Sequence, residues 1–99
     1  MTQHLSCKSF SDQLHTNFRV HVPEIGAVPL ELIEVVEQTN QPQIEQFCLI
    51  FRGPRDPWFE QKIRTIEHDA LGNMDLFIAP LGPDEQGMRY QVIFNRFRQ

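Results

Sequence analysis

Cysteine is scarce in this chain. Two thiols, Cys7 and Cys48, in 99 residues make no disulfide scaffold. Cys48, set in an apolar run, reads as a small core residue, and Cys7 reads as an exposed thiol near a chain end. No segment approaches the ~20 consecutive apolar residues that span a bilayer. The opening Met1-Thr2-Gln3-His4-Leu5-Ser6-Cys7 carries no apolar signal region, so the expectation is a cytoplasmic protein without a membrane partner. Basic surplus is lacking too. Net charge is −4; residues 1–45 hold six acids and two bases, whereas residues 46–99 hold seven of each. Nucleic acid calls for a concentrated basic face. The candidates Arg52, Arg55, Arg89, Arg96 and Arg98 have no spacing that assembles one, so no nucleic-acid partner is expected. The acidic balance reads as a solubilising surface.

Catalytic and metal signatures are equally thin. His4, His15, His21 and His68 are scattered and no Cys pair exists, which leaves none of the ligand spacings of a zinc site. The five Gly are dispersed and form no phosphate-cradling loop, and no Ser sits in a nucleophile-elbow pattern. The densest polar cluster is Glu67-His68-Asp69. Neighbours along a strand point to opposite faces, so His68 faces away from both acids. That favours a hydrogen-bonded structural histidine over a general base. No cofactor, metal or catalytic residue is expected, and an enzyme using His68 with an acid is the weakest of the readings.

Aromatic residues are what the chain does have, and they are almost all phenylalanine: eight Phe against one Trp and one Tyr. Hydrophobic content of 40% with 22% charged residues is ordinary for one globular domain. The most strongly patterned stretch is Gln46-Phe47-Cys48-Leu49-Ile50-Phe51-Arg52-Gly53-Pro54. A two-residue period sends Phe47, Leu49 and Phe51 to one side and Cys48 and Ile50 to the other, which predicts a central strand covered on both faces and stopped by Gly53-Pro54.

The rest of the chain arranges itself around that strand. Ser9 to Asn17 predicts a short helix capped by Ser9, with Phe10 and Leu14 on one face and Asn17 at its left-handed end. Phe18 to Val22 alternates as a strand, and Pro23 to Pro29 reads as a connection. Leu30 to Gln38 mixes two periods. A strand with a bulge near Ile33 reconciles Leu30 and Leu32 with Val35, and a helix is the alternative. Thr39 to Glu45 is a polar loop. Lys62 to His68 predicts a strand turning at Leu71-Gly72-Asn73, Met74 to Ala79 a strand stopping at Pro80, Leu81 to Gly87 a turn, and Arg89 to Phe97 the last strand. The fold class expected is mainly β: a compact antiparallel barrel or sandwich of about six strands with one short N-terminal helix, in a single domain.

These segments resemble a family of small bacterial domains with no assigned activity. The resemblance rests on Phe10, Leu14 and Phe18; on Leu30, Leu32 and Val35; on Phe47, Leu49, Phe51, Arg52, Gly53 and Pro54; on Gln61, His68, Leu71 and Gly72; on Leu76, Phe77 and Pro80; and on Tyr90, Phe94, Asn95 and Arg96. It departs at Lys62, where the pattern has a small residue. It implies an all-β domain and brings no catalytic residues.

The strongest binding candidate is the loop Arg55-Asp56-Pro57-Trp58-Phe59. Trp and Arg are enriched among residues that anchor protein interfaces, which marks Arg55, Trp58 and Phe59 as a candidate partner-binding set. The competing reading folds Trp58 and Phe59 back as a plug over the barrel end. Arg52, with Asn95 and Arg96, reads as a polar network tying two strands together. The first functional expectation is a non-enzymatic protein-interaction or assembly module that binds a protein partner or itself; the alternative is a small-ligand-binding barrel with a Phe-lined pocket.

Overall fold

The computed structural model describes residues 6–38 and 43–97, without the side chains of 96 and 97. A short helix, α1 (Cys7–Ser11), precedes six strands: β1 (Asn17–Val22), β2 (Gly26–Glu37), β3 (Ile44–Gly53), β4 (Lys62–His68), β5 (Gly72–Asp84) and β6 (Gly87–Phe97). They close into an antiparallel barrel in the order β1-β2-β3-β6-β5-β4. Closure gives every strand two neighbours, which suits a small sheet with one apolar face.

β3 lies at the middle of this order, between β2 and β6. Phe47, Leu49 and Phe51 are fully buried in the interior. Cys48 and Ile50 are also buried, on the outer face. There they are covered by cross-strand neighbours, Val36 and Ile93 beside Cys48 and Glu34 and Gln91 beside Ile50. The helical alternative for Leu30 to Gln38 is excluded. β2 is one strand whose register slips between Leu32 and Glu34, so Ile33 is the extra residue of a bulge. Leu32 faces inward before it and Val35 packs on the core after it, which is why the sequence shows two periods.

Four boundaries move. The helix starts earlier than the Ser9 cap predicts: Ser6 is the N-cap, its hydroxyl accepts from the Ser9 N–H, and the Ser9 hydroxyl accepts from the Ser6 N–H in return. Both serines serve one reciprocal box, and Cys7 lies in the helix, partly buried. Leu14, outside the helix, is exposed. His15, not Asn17, takes the left-handed conformation, with φ 68°, and its N–H donates to the Leu32 carbonyl while the Leu32 N–H donates to that of Thr16. The Pro23–Pro29 connection shrinks to a turn at residues 23–25, because Pro29 sits in β2 beyond the β2–β3 ladder, which begins at Glu31. β5 does not stop at Pro80. A second bulge at Leu81, between Pro80 and Gly82, accommodates prolines that cannot donate to a regular ladder, and the turn into β6 contracts to residues 85–86. Of the polar loop expected over Thr39 to Glu45, residues 39–42 lie outside the described residues.

The interior is sealed at one end by α1. Its Phe10 is fully buried, with ring centroids 5.4 Å from Phe94, 6.1 Å from Phe47 and 6.4 Å from Phe18. Phe18 in turn meets Phe51 edge-on. Tilted and edge contacts of this kind let several rings share one small volume.

Candidate functional site

The loop between β3 and β4 crosses the other end of the barrel. Phe59 folds inward, 3% exposed, and its ring stacks on that of Tyr90 at 4.2 Å and 8°. The fully buried Tyr90 hydroxyl accepts from the Phe59 N–H at 3.2 Å. Burial pushes the Tyr90 phenol above its ordinary value, so it stays neutral and suited to that role. Trp58, the preceding residue, is 53% exposed. The structure therefore divides the pair: Phe59 plugs the barrel and Trp58 is displayed beside the plug. Trp58 lines a surface cleft of about 300 Å³ with Ile25, Val22, Glu24, Glu60 and Arg64, half apolar wall and half charged rim. Arg55 is exposed on the same loop and donates to the Asp84 carbonyl oxygen.

Beneath the cleft lies Arg64. The alternation of β4 turns Arg64, Ile66 and His68 inward, so a guanidinium only 7% exposed is held at the barrel end. Its carbon sits 5.0 Å over the Phe59 ring, Nη2 donates to the Glu60 carbonyl at 3.1 Å, and the buried Nε has no acceptor among the described residues. Sequence reasoning passed over Arg64. The signal was its parity with Ile66, which puts it on the core face of the predicted strand.

His68 occupies the opposite end. Nδ1 accepts the N–H groups of Ala70 and Leu71, at 3.0 and 3.2 Å, so Nε2 carries the proton and donates to the Thr16 hydroxyl at 2.8 Å. Thr16 passes the chain on to the Gln13 carbonyl. Burial lowers the His68 pKa, consistent with a neutral ring whose two nitrogens both hold backbone or loop in place. His21 pairs with Glu67 at 3.0 Å and His15 with Glu31 at 3.2 Å; the His21 hydrogen bond holds the Glu67 carboxyl below its usual range.

Arg52 ties strands together, but not through Asn95 and Arg96. Those residues pair with Gln46 and Glu45 at the far end of the β3–β6 ladder, whereas Arg52 lies opposite Arg89. Its partner is Asp84, approached by Nη2 at 2.7 Å and Nε at 3.2 Å. The second Asp84 oxygen accepts the N–H groups of Gln86 and Gly87 at the β5–β6 turn. Arg52, foremost, and then that turn hold the Asp84 carboxyl below its usual range. Gly53 and Gly87 follow from the same joint: a Cβ on Gly87 would lie 2.2 Å from the Gly53 carbonyl oxygen, and one on Gly53 would lie 2.5 Å from Leu30 Cδ2. Phe51-Arg52-Gly53-Pro54 is thus a structural unit, a core ring followed by a clamp and a close approach.

Residues 5–94 match the model of a family described as a domain of unknown function, DUF6916. The chain belongs to the DUF6916 family. No curated protein and no solved structure matched it, so membership in DUF6916 carries no assigned activity to the residues above. Among the described residues no three His, Cys, Asp or Glu side chains gather to hold a metal ion, and no helix is long and apolar enough to cross a membrane.

Proposed function

We propose that this DUF6916 domain is a non-enzymatic protein-interaction or assembly module that meets its partner with the barrel end displaying Trp58. One observation carries the reading: an indole more than half exposed on a loop that Phe59 and Tyr90 lock to the core. Pre-organised aromatic anchors bind with little ordering cost. Arg55, exposed on the same loop, adds a cation to that loop, and Phe59 acts from behind as the support. The inward positions that a ligand-binding barrel would leave open are occupied by Val20, Leu49, Phe51, Ile66, Ile78 and Tyr90, which favours the surface over the interior as the place of recognition. The partner class is a protein, including a second copy of the chain.

The test compares wild type with Trp58→Ala in two measurements: sedimentation over a range of concentrations, and retention of native-extract proteins whose binding is then reconstituted with purified components. The expected result is a defined complex that Trp58→Ala weakens by about tenfold or more without a change in the far-ultraviolet circular dichroism. Complexes that Trp58→Ala leaves at full affinity would refute the reading.

A further inference from the structure

The barrel closes least completely between β1 and β4. Across that seam only Arg19 with Glu67 and Val20 with Ile66 are paired, although β1 runs on to Val22 and β4 begins at Lys62. Continued in the same register, His21 would face Thr65 and Val22 would face Arg64. Those four residues instead line a cleft of about 450 Å³, together with Lys62 and Ile63. On their far sides both strands are fully engaged, His21 and Val22 with β2 and residues 62–65 with β5. The two near edges are therefore strand edges without a ladder, a ready template for another chain.

The cleft also has a sign. Lys62 and Arg64 line it and no carboxylate does. His21, the third basic group, is engaged by Glu67. Among the described residues neither Lys62 nor Arg64 forms an ion pair, and the Arg64 Nε is buried without an acceptor. Arg64 has the Glu60 carbonyl and the Phe59 ring as partners but no carboxylate; a buried arginine is ordinarily paired with an opposite charge, and an anionic strand on this unladdered edge would bring one.

We infer that the β1–β4 opening is a strand-accepting site for a short extended peptide bearing carboxylate side chains, its backbone pairing with the free edge of β4 and a carboxylate meeting Lys62 and Arg64. Strand addition of this kind draws affinity from main-chain hydrogen bonds and specificity from alternate side chains. The inference goes beyond the Trp58 surface. The two clefts share Val22 and Arg64 as a common wall, but they differ in mouth and in the chemistry recognised.

The probe is a fluorescein-labelled hexapeptide of alternating Val and Glu, blocked at both ends and titrated against the full chain by fluorescence anisotropy, with amide shifts followed by NMR. Saturable binding is expected, with shifts at His21, Val22 and residues 62–65. It should weaken by about tenfold or more in Lys62→Glu, and likewise when the peptide backbone is N-methylated or its Glu residues are replaced by Lys. Trp58→Ala should leave it within about twofold, which separates this site from the one proposed above. Lack of saturation up to about 1 mM peptide, full affinity in Lys62→Glu, or competition by free glutamate as strong as by unlabelled peptide would each overturn the inference.

Discussion

Trp58 and Phe59 are adjacent in the chain and similar in composition, yet the fold assigns them opposite work, which truncating each in turn exposes. Phe59 is 3% exposed and stacked on Tyr90. Phe59→Ala opens a cavity where the barrel end is now filled and is expected to cost about 3–5 kcal/mol, a large share of the ~5–15 kcal/mol available to a domain. Trp58 has half of its surface in water already, so Trp58→Ala should cost about 1 kcal/mol at most. Tyr90→Phe keeps both rings and deletes only the acceptor of the Phe59 N–H, leaving a buried donor unpaired for about 1–3 kcal/mol. The predicted order of damage is Phe59→Ala, then Tyr90→Phe, then Trp58→Ala. Urea unfolding followed by far-ultraviolet circular dichroism measures all three, because it does not depend on the indole that one variant lacks. The midpoint of thermal unfolding should fall by about 12 °C or more for Phe59→Ala. If Trp58→Ala proves as damaging as Phe59→Ala, or Phe59→Ala costs under about 1 kcal/mol, the division between plug and displayed anchor is wrong.

His68 and the two close-approach glycines give further tests. Burial depresses the His68 pKa below its ordinary value of 6.5; the unfolded chain therefore takes up the proton first as pH falls, and the stabilisation present above 6.5 is lost as pH drops toward the folded-state pKa. Wild type should lose stability across that acidic window faster than His68→Leu, while His68→Leu is less stable at pH 7 by about 1–3 kcal/mol through its unpaired partners; parallel pH profiles for the two proteins would contradict the neutral-ring assignment. Gly53→Ala meets the movable Leu30 side chain and should cost about 1–3 kcal/mol. Gly87→Ala meets the Gly53 backbone oxygen at φ +155° and should cost more; the reverse order in urea unfolding would refute the account of the β3–β6 joint.

How much of this was legible beforehand follows from where each determinant lies. The strand Lys62 to His68 and the two-sided run from Phe47 to Phe51 announce themselves by period, because inward and outward positions differ chemically along a single strand. The bulge at Ile33 is readable for the same reason: a parity that switches between Leu32 and Val35 leaves its trace in the order of residues. The helix start was missed because Ser6 and Ser9 offer identical chemistry and only their mutual hydrogen bonds say which is the cap. Pro80 reads as a stop and Pro83 as part of the following turn, since a proline's lost N–H ends a regular ladder; that a bulge at Leu81 absorbs the loss is a property of the paired strand, β6. The same holds for Arg52, whose partner Asp84 comes from a different hairpin.

The open seam is the deepest case, because no single segment contains it. β1 and β4 are the shortest strands, six and seven residues against ten to thirteen in the others, and ring closure makes these two neighbours. Within β1, His21 and Val22 already lack a partner on β4; beyond Val22 the turn at residues 23–25 begins, and Pro23 cannot donate to any pairing carried on toward Lys62. The shortfall in pairing and the buried Arg64 Nε without an acceptor thus meet at one place, where the barrel is closed by its two shortest members. A change that lengthens β1 across the gap would then test both the cause and the proposed use of the opening. Pro23→Thr restores a donor, and if the edge is free as described, hydrogen exchange at residues 62–65 should slow while the acidic hexapeptide loses affinity. Unchanged exchange together with unchanged peptide binding would show that Pro23 is not what holds the seam open.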